Sequence, residues 1–351
     1  MKIKVLIIDD SIVFRTILSK GIQVDNDIEV VATAVDPFDA RDKILEFEPD
    51  VLTCDIEMPK MDGIKFIKQL LPQYPIPIIV VSSISNGVFE AMNAGAIDFI
   101  AKPDANSPEN VKSFIMELVQ KIKAASKAQI LNQGEPLISN ASVAKGVIPE
   151  VHAPQSELKQ VARRHKLIGI GASTGGTEAI FAVLKKLPLG LPGIVIVQHI
   201  PPMFSRMFAE RLNNQTHFTC KEAQNGDLIE NDHVYVAPGD KQMKVVTKGG
   251  KLYISVFDGE KVNGHCPSVD VLFNSIAAEL GDAAMGVILT GMGYDGAKGI
   301  TLMRRKGAIT LGQDEQSSVV YGMPKAAFML NGITKQTSLE LMSHYIVKYL
   351  S

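Results

Sequence analysis

Five short apolar runs near the start of the chain, at residues 5–8, 30–34, 51–54, 78–81 and 99–101, constrain the fold more than any other feature. They are almost continuously apolar, as strands buried on both faces of a parallel sheet must be. Amphipathic stretches such as 38–48 and 61–71 separate them, and strands alternating with helices predict an open α/β sheet. The pattern then breaks. From about residue 125 to 164 the chain carries Ser, Ala, Asn, Gln and Lys with Pro136, Pro149 and Pro154, and no apolar period, which reads as a linker with a helical start continuing from 113–125. That segment is either a plain tether or one that packs between the domains or meets a partner.

A second α/β pattern opens at Lys166. LIGIGAS predicts a strand, 177–187 a helix, 193–198 a strand and 203–212 a helix. Residues 233–257 alternate around Gly-Asp and Gly-Gly turns and predict antiparallel hairpin strands. Helix is predicted at 268–279, strand at 285–290, helix at 296–305 and strand at 308–311, with helices to the end. The expected division is a first domain at 1–122, a linker at 123–164 and a second domain at 165–351. The second is expected to be a doubly wound, mostly parallel α/β domain with an antiparallel hairpin; a length of 351 residues suits two cores better than one.

A net charge of −2 with no basic block offers nothing to nucleic acid or an anionic membrane. The apolar runs fall far short of the roughly 18 residues of a membrane span. MKIKVLIIDD reaches two aspartates too early for a signal peptide. Cys54, Cys220 and Cys266 are three and widely spaced, as suits reduced thiols in a cytoplasmic protein and no zinc site.

Ligands of open parallel sheets bind beyond the carboxyl ends of the strands. In the first domain those ends are Asp9-Asp10, Asp55, Ser82 and Lys102-Pro103. Three carboxylates converging on one crevice repel, so a divalent cation is expected among them, and oxygen ligands open to phosphate suit Mg²⁺. The cation and Lys102 would neutralise charge on a phosphoryl group as a carboxylate attacks it. Ser82 could hydrogen-bond a phosphoryl oxygen. The bland alternative is five unrelated loop polars, which placement at successive strand ends argues against.

VLIIDDS, CDIEMPKMDG, VSS and IAKP, with Phe99 just before the lysine, resemble the response-regulator receiver family across the whole first domain. The resemblance implies a flavodoxin-like five-stranded parallel domain. It makes Asp55 the phospho-acceptor and Lys102 the phosphate-sensing lysine. Mg²⁺ would be held by Asp9, Asp10, Asp55 and the backbone carbonyl of Glu57, and Ser82 and Phe99 would be the switching pair. The segment from Ser82 to Gly95 is short for the family by about one helical turn, so a trimmed fourth helix is expected.

In the second domain LIGIG runs into Ala172-Ser173-Thr174-Gly175-Gly176 and then a helix. Flanking glycines permit a sharp turn that lifts Ser173 above the sheet edge, and the new helix aims free N–H groups at the same spot. The pattern also resembles a dinucleotide loop. That loop needs an acidic residue at the end of the next strand to hold a ribose, whereas this chain has Gln198-His199. His199 can reach the crevice above Ser173; the alternative is a capped or surface histidine. The third group should be a carboxylate orienting the imidazole, and Asp295 in TGMGYDG is the candidate, with a turn or helix-cap role as its alternative. The order Ser…His…Asp differs from that of α/β-hydrolases. His265, in NGHCPSVD, reads as a structural or substrate-contact residue.

GASTGGTEA, VQHIPP, VYVAPGD, PSVDVLF, ILTGMGYDGA and YGMPKAA resemble, in combination, the catalytic domain of the chemotaxis protein-glutamate methylesterase family over residues 166–351. The resemblance places the nucleophile at Ser173, the base at His199 and the orienting acid at Asp295, with Thr174 and Met292 nearby. Cys266 stands where the family more often has arginine. The implied activity is phosphorylation-regulated hydrolysis of glutamate γ-methyl esters on the cytoplasmic helices of chemoreceptors, with glutamine deamidation, and no cofactor for the esterase step. A chemotaxis histidine kinase would be the phosphodonor. Two other classes are a receiver-controlled dinucleotide-binding module and a transcriptional regulator. The missing ribose carboxylate opposes the first, and the lack of a basic helix-turn-helix region opposes the second.

Overall fold

The computed structural model describes residues 2–83, 87–103, 107–128 and 166–350. The expected linker at 123–164 lies outside the described residues from 129 onward.

The first domain contains β1 (Ile3–Ile8), α1 (Ile12–Ile22), β2 (Ile28–Ala34), α2 (Pro37–Phe47), β3 (Val51–Cys54), α3 (Gly63–Leu70), β4 (Ile78–Ser82), α4 (Val88–Asn93), β5 (Asp98–Ala101) and α5 (Pro108–Ala125). The sheet order is β2-β1-β3-β4-β5 and every pairing is parallel. Four of these five helices start where a short polar side chain caps them; α4 follows Gly87 and has no side-chain cap. Ser11 accepts from Phe14 N, Asp36 from Phe38 and Asp39 N with Pro37 in the first turn, Asp62 from Lys65 N, and Ser107 from Asn110 N with Pro108 following. α4 is six residues long, and residues 84–86 before it, part of the segment expected to be short, lie outside the described set.

The second domain contains β6 (Leu167–Ala172), α6 (Gly176–Lys186), β7 (Gly193–Gln198), α7 (Phe204–Gln215), β8 (Thr219–Glu222), β9 (His233–Val236), β10 (Gln242–Lys248), β11 (Lys251–Phe257) and α8 (Val269–Leu280). There follow β12 (Ala284–Ile288), α9 (Ala297–Arg305), β13 (Ile309–Gln313), α10 (Met323–Met329), β14 (Lys335–Thr337) and α11 (Leu339–Leu350). Its seven-stranded sheet has the order β14-β13-β12-β6-β7-β9-β8, all parallel. The chain winds outward from β6 in both directions, so the topological switch point lies between β6 and β12, where a crevice opens above the strand ends.

Three sequence expectations need correction. Of the 233–257 run, only β10 and β11 form the antiparallel hairpin. β9 joins the main sheet in parallel, because Val234, Tyr235 and Val236 are buried and need cover on both faces. β8 and β14 have no apolar run to announce them: they are four- and three-residue edge strands with polar sequences. The end of the chain is therefore helix, strand, helix.

Candidate active site

In the first domain the strand ends meet as the sequence predicts. Carboxylate oxygens of Asp9, Asp10 and Asp55 lie within 4.8 Å of one another. Lys102 Nζ is 2.6 Å from Asp9 Oδ2 and 2.5 Å from Asp55 Oδ2. Asp9 Oδ2 is buried and, despite that ion pair, takes no well-formed hydrogen bond. Burial raises the Asp55 carboxyl above its usual range; Lys102 opposes this and Asp9 adds to it. One ammonium among three carboxylates leaves the pocket short of positive charge, which fits a hard divalent cation. Ser82 is buried at the end of β4, and its carbonyl accepts from Lys102 N. Glu57 N donates to Asp55 Oδ1 at 3.4 Å.

In the second domain Ser173, His199 and Asp295 all follow strands that meet at the switch point. Ala172 pairs with Gln198, and His199 N donates to Ala172 O at 3.2 Å, so Ser173 and His199 are the next residues on adjacent strands. Ser173 N donates to Thr290 O beyond β12, and Gln198 Nε2 donates to Ser173 O at 2.9 Å. Gly175 (φ +75) makes the turn into α6; a Cβ there would be strained and would lie 2.7 Å from Val319 Cβ. Ser173 is half-buried.

His199 Nε2 and Asp295 Oδ2 are 2.8 Å apart. Asp295 also accepts from Asn263 Nδ2 and Ser268 Oγ, each at 2.8 Å, from Val269 N at 2.7 Å and from Asp270 N at 3.3 Å. Burial alone would raise its pKa, but the His199 contact and the donors from Asn263 and Ser268 carry it well below the carboxylate range. Asp295 both contacts His199 and accepts from the first backbone N–H groups of α8, whose own preceding residue Ser268 makes no side-chain cap. His199 Nδ1 is buried and finds no hydrogen-bond partner among the described residues, so with Nε2–H given to Asp295 the free lone pair is on Nδ1.

Sequence reasoning left Asn263, Asp98 and Lys121 out and read His265 only as a structural or substrate-contact residue. Asn263 bridges Asp295 and Asp270 through Nδ2, at 2.8 Å to each. His265 stacks face to face on His199, with ring centroids 3.6 Å apart and planes 7° from parallel. The other two come from the first domain. Asp98 Oδ2 accepts from Thr174 Oγ1 at 2.7 Å, and Lys121 Nζ donates to Asp98 Oδ1 at 2.8 Å. Asp98 could have drawn notice as a carboxylate in the apolar stretch AIDFIA. The partner of His199 carried no periodic signal, because Asn263 and His265 are exposed-looking polars in a turn. Cys266 lies beside this cluster, with Sγ 3.7 Å from Gly259 O, and burial raises its thiol pKa.

The first domain lies over this cleft. Phe99 packs on Phe204 at 4.7 Å between centroids and Phe89 on Phe208 at 5.9 Å. Arg211 makes a bidentate pair with Glu178, donates to Asn93 Oδ1 at 2.6 Å and places its guanidinium over Phe89 and Phe181. A cavity of about 500 Å³ remains between Gln120, Lys123 and Lys127 of the first domain and Met292, Tyr321 and their neighbours.

Fold and site define a class of protein: a response regulator in which a receiver-type acidic pocket is carried on one chain with a doubly wound α/β domain presenting serine, histidine and aspartate at its switch point. Comparison with known families agrees. Residues 168–346 match the CheB methylesterase family and residues 5–111 the response regulator receiver domain. The chain is 49% identical, over all of its length and 98% of the relative's, to a protein-glutamate methylesterase/protein-glutamine glutaminase of Syntrophomonas wolfei. It is 43% identical, over all of its length and 97% of the relative's, to a protein of the same name from Salmonella typhi. The crystal structure of the Thermotoga maritima CheB methylesterase catalytic domain superposes with a TM-score of 0.52 at 31% identity, covering 53% of this chain and 98% of that one. The chain belongs to the CheB methylesterase family.

Proposed function

We propose that this chain removes γ-methyl groups from chemoreceptor glutamates, and amide groups from receptor glutamines, under the control of phosphorylation at Asp55. The observation that carries the catalytic assignment is the 2.8 Å contact between His199 Nε2 and Asp295 at the strand ends flanking Ser173. Ser173 Oγ attacks the ester carbonyl carbon while His199 Nδ1 takes its proton. Asp295 holds the Nε2 proton and stabilises the imidazolium. Backbone N–H groups near Thr174 and Met292 stabilise the oxyanion. His199 then returns the proton to the departing methoxide, giving methanol, and water repeats the sequence on the acyl-serine to release glutamate. An amide substrate gives ammonia by the same steps.

Asp9, Asp10, Asp55 and the Glu57 carbonyl would hold Mg²⁺, which supplies charge neutralisation as phosphoryl transfers to Asp55. Lys102 neutralises a further phosphoryl oxygen, and Ser82 and Phe99 respond to the new group. A histidine kinase is the phosphodonor. We take the division into receiver, linker and catalytic domains at 1–122, 123–164 and 165–351. Among the described residues no helix is long and apolar enough to cross a membrane. A cytoplasmic location is part of the proposal because the receptor signalling helices it would act on lie there. The receiver limits substrate entry in the unphosphorylated state, a reading supported by Asp98 on Thr174.

The test is methanol release from methylated receptor membranes, with phosphodonor and Mg²⁺ present. Ser173→Ala should lower the rate by at least about 10³-fold. Equal release from variant and wild type would overturn the nucleophile.

A further inference from the structure

The segment from Val262 to Asp270 does more than support Asp295. Val262 and His265 exchange backbone hydrogen bonds of 2.9 and 3.0 Å, closing a tight turn, and Gln242 Nε2 lies 3.4 Å from His265 O. From this pinned turn Asn263 reaches Asp295, and Ser268, Val269 and Asp270 add three more donors to the same carboxylate. His265 projects from the same turn onto the flat of the His199 ring, nearly parallel and at van der Waals distance. One short segment thus fixes both the acid and the imidazole.

We propose that His265 is a positioning residue for the methylesterase reaction. By stacking on His199 it fixes the imidazole plane, so that Nε2 stays on Asp295 and Nδ1 is kept as the free basic nitrogen. This rests on the assignment of His199 as the base. The physical need is clear. An imidazole held only by one hydrogen bond can swing about its Cβ–Cγ bond, and a base displaced by about 1 Å costs on the order of 10²-fold in rate. Asp295 constrains one ring atom; a parallel aromatic face constrains the plane.

His265 suits the task chemically. Burial first, and then the neighbouring His199, lower its pKa to about 4. The charges facing it are Asp295, which opposes that shift, and Lys261 and Lys121, which favour it. His265 therefore stays neutral while His199 cycles through its charged form. A neutral aromatic face beside an imidazolium is a favourable contact, where a second cation would repel.

The experiment uses the full chain with acetyl phosphate and Mg²⁺, comparing wild type, His265→Ala and His265→Phe. Methanol release gives kcat and KM; long-range ¹H–¹⁵N spectra give the His199 tautomer without turnover. Expected are a kcat loss of about 10²-fold for His265→Ala with KM within about twofold, and recovery of most of that loss in His265→Phe. The His199 nitrogens should keep one tautomer in wild type and the Phe variant and average in the Ala variant. An Ala variant with wild-type kcat and one tautomer overturns the proposal. So does a Phe variant as slow as Ala, because the stack would then not be the working feature. Should the Ala variant fail to fold, the tautomer in His265→Phe decides: one form supports the proposal and mixed forms overturn it. A wild type that releases no methanol strikes the proposed function instead, and leaves the tautomer result to stand alone.

Discussion

At the scale of single residues, the pair facing His199 from two sides has opposite electrostatics. Asp295 is held charged by five donors; His265 is held neutral by burial. Asp295→Asn keeps the volume but turns an NH₂ toward groups that are already donors. We expect kcat to fall about 10³- to 10⁴-fold and unfolding stability to fall by about 2–4 kcal/mol, read from methanol release and urea denaturation. The pH dependence follows from His265. Its folded pKa of about 4 lies below its ordinary value of 6.5, so between those pH values the unfolded chain binds the extra proton. Stability from this group is complete above pH 6.5 and is lost as pH falls toward 4, by at most about 3 kcal/mol. Facing charges on Asp295, Lys261 and Lys121 are common to wild type and variant. Urea midpoints at pH 7 and pH 4.5 should therefore drop less in His265→Phe than in wild type, and equal drops would refute the assignment.

At the scale of elements, the strands and their ends explain what could be read in advance. Buried parallel strands must be apolar throughout, so β1, β3, β4, β6, β7 and β12 announce themselves, and so do the polar residues that terminate them: Asp9, Asp55, Ser82, Ser173, His199 and, after β12, Asp295. Edge strands carry no such demand, which is why β8 and β14 were silent. β9 was misplaced because its alternation with the Gly-Asp turn mimics a hairpin. His265 was undervalued because its ring partner lies 66 positions earlier in the chain, and no period links a turn to a distant strand end. The loop after β12 shows how tightly the elements meet. A Cβ on Gly291 would lie 2.4 Å from Met323 Sδ and 2.7 Å from Ser173 Cβ. Gly291→Ala must push α10 or the nucleophile aside, and such overpacking costs about 1–3 kcal/mol. The expected outcome is a drop in kcat of at least about tenfold, because displacement of the nucleophile is amplified in rate. A variant crystal structure with Ser173 unmoved and a normal kcat would count against this.

At the scale of the whole molecule, the receiver and catalytic domains share apolar contacts as well as polar ones. Phe89 stacks on Phe208 and Phe99 packs tilted against Phe204, and all four are buried. Phe99 precedes Lys102, the partner of Asp55, by three residues and packs on Phe204 of α7, so the proposed switch has a direct physical route from the acidic pocket to the catalytic domain. Thr174 with Asp98 and Arg211 with Asn93 add directional polar contacts to that aromatic patch. Asn93 is suited to test the arrangement. It is exposed, lies at the end of α4 and touches the catalytic domain through Arg211, while Arg211 keeps its bidentate pair with Glu178 without it. Asn93→Ala therefore removes one interdomain hydrogen bond and leaves neither a buried orphan charge nor any change near Ser173 or Asp55. A hydrogen bond of this kind contributes about 0.5–1.5 kcal/mol, and a closed arrangement weakened by that amount becomes open up to about tenfold more often. Methanol release without phosphodonor should rise by about two- to tenfold, while the rate with acetyl phosphate and Mg²⁺ should stay the same under the proposed regulation, in which the phosphorylated protein gives up the contact. An unchanged rate without phosphodonor would mean that closure is held by the aromatic patch and Asp98 alone. A fall in both rates would mean that Arg211 and its partners serve the catalytic domain rather than its regulation.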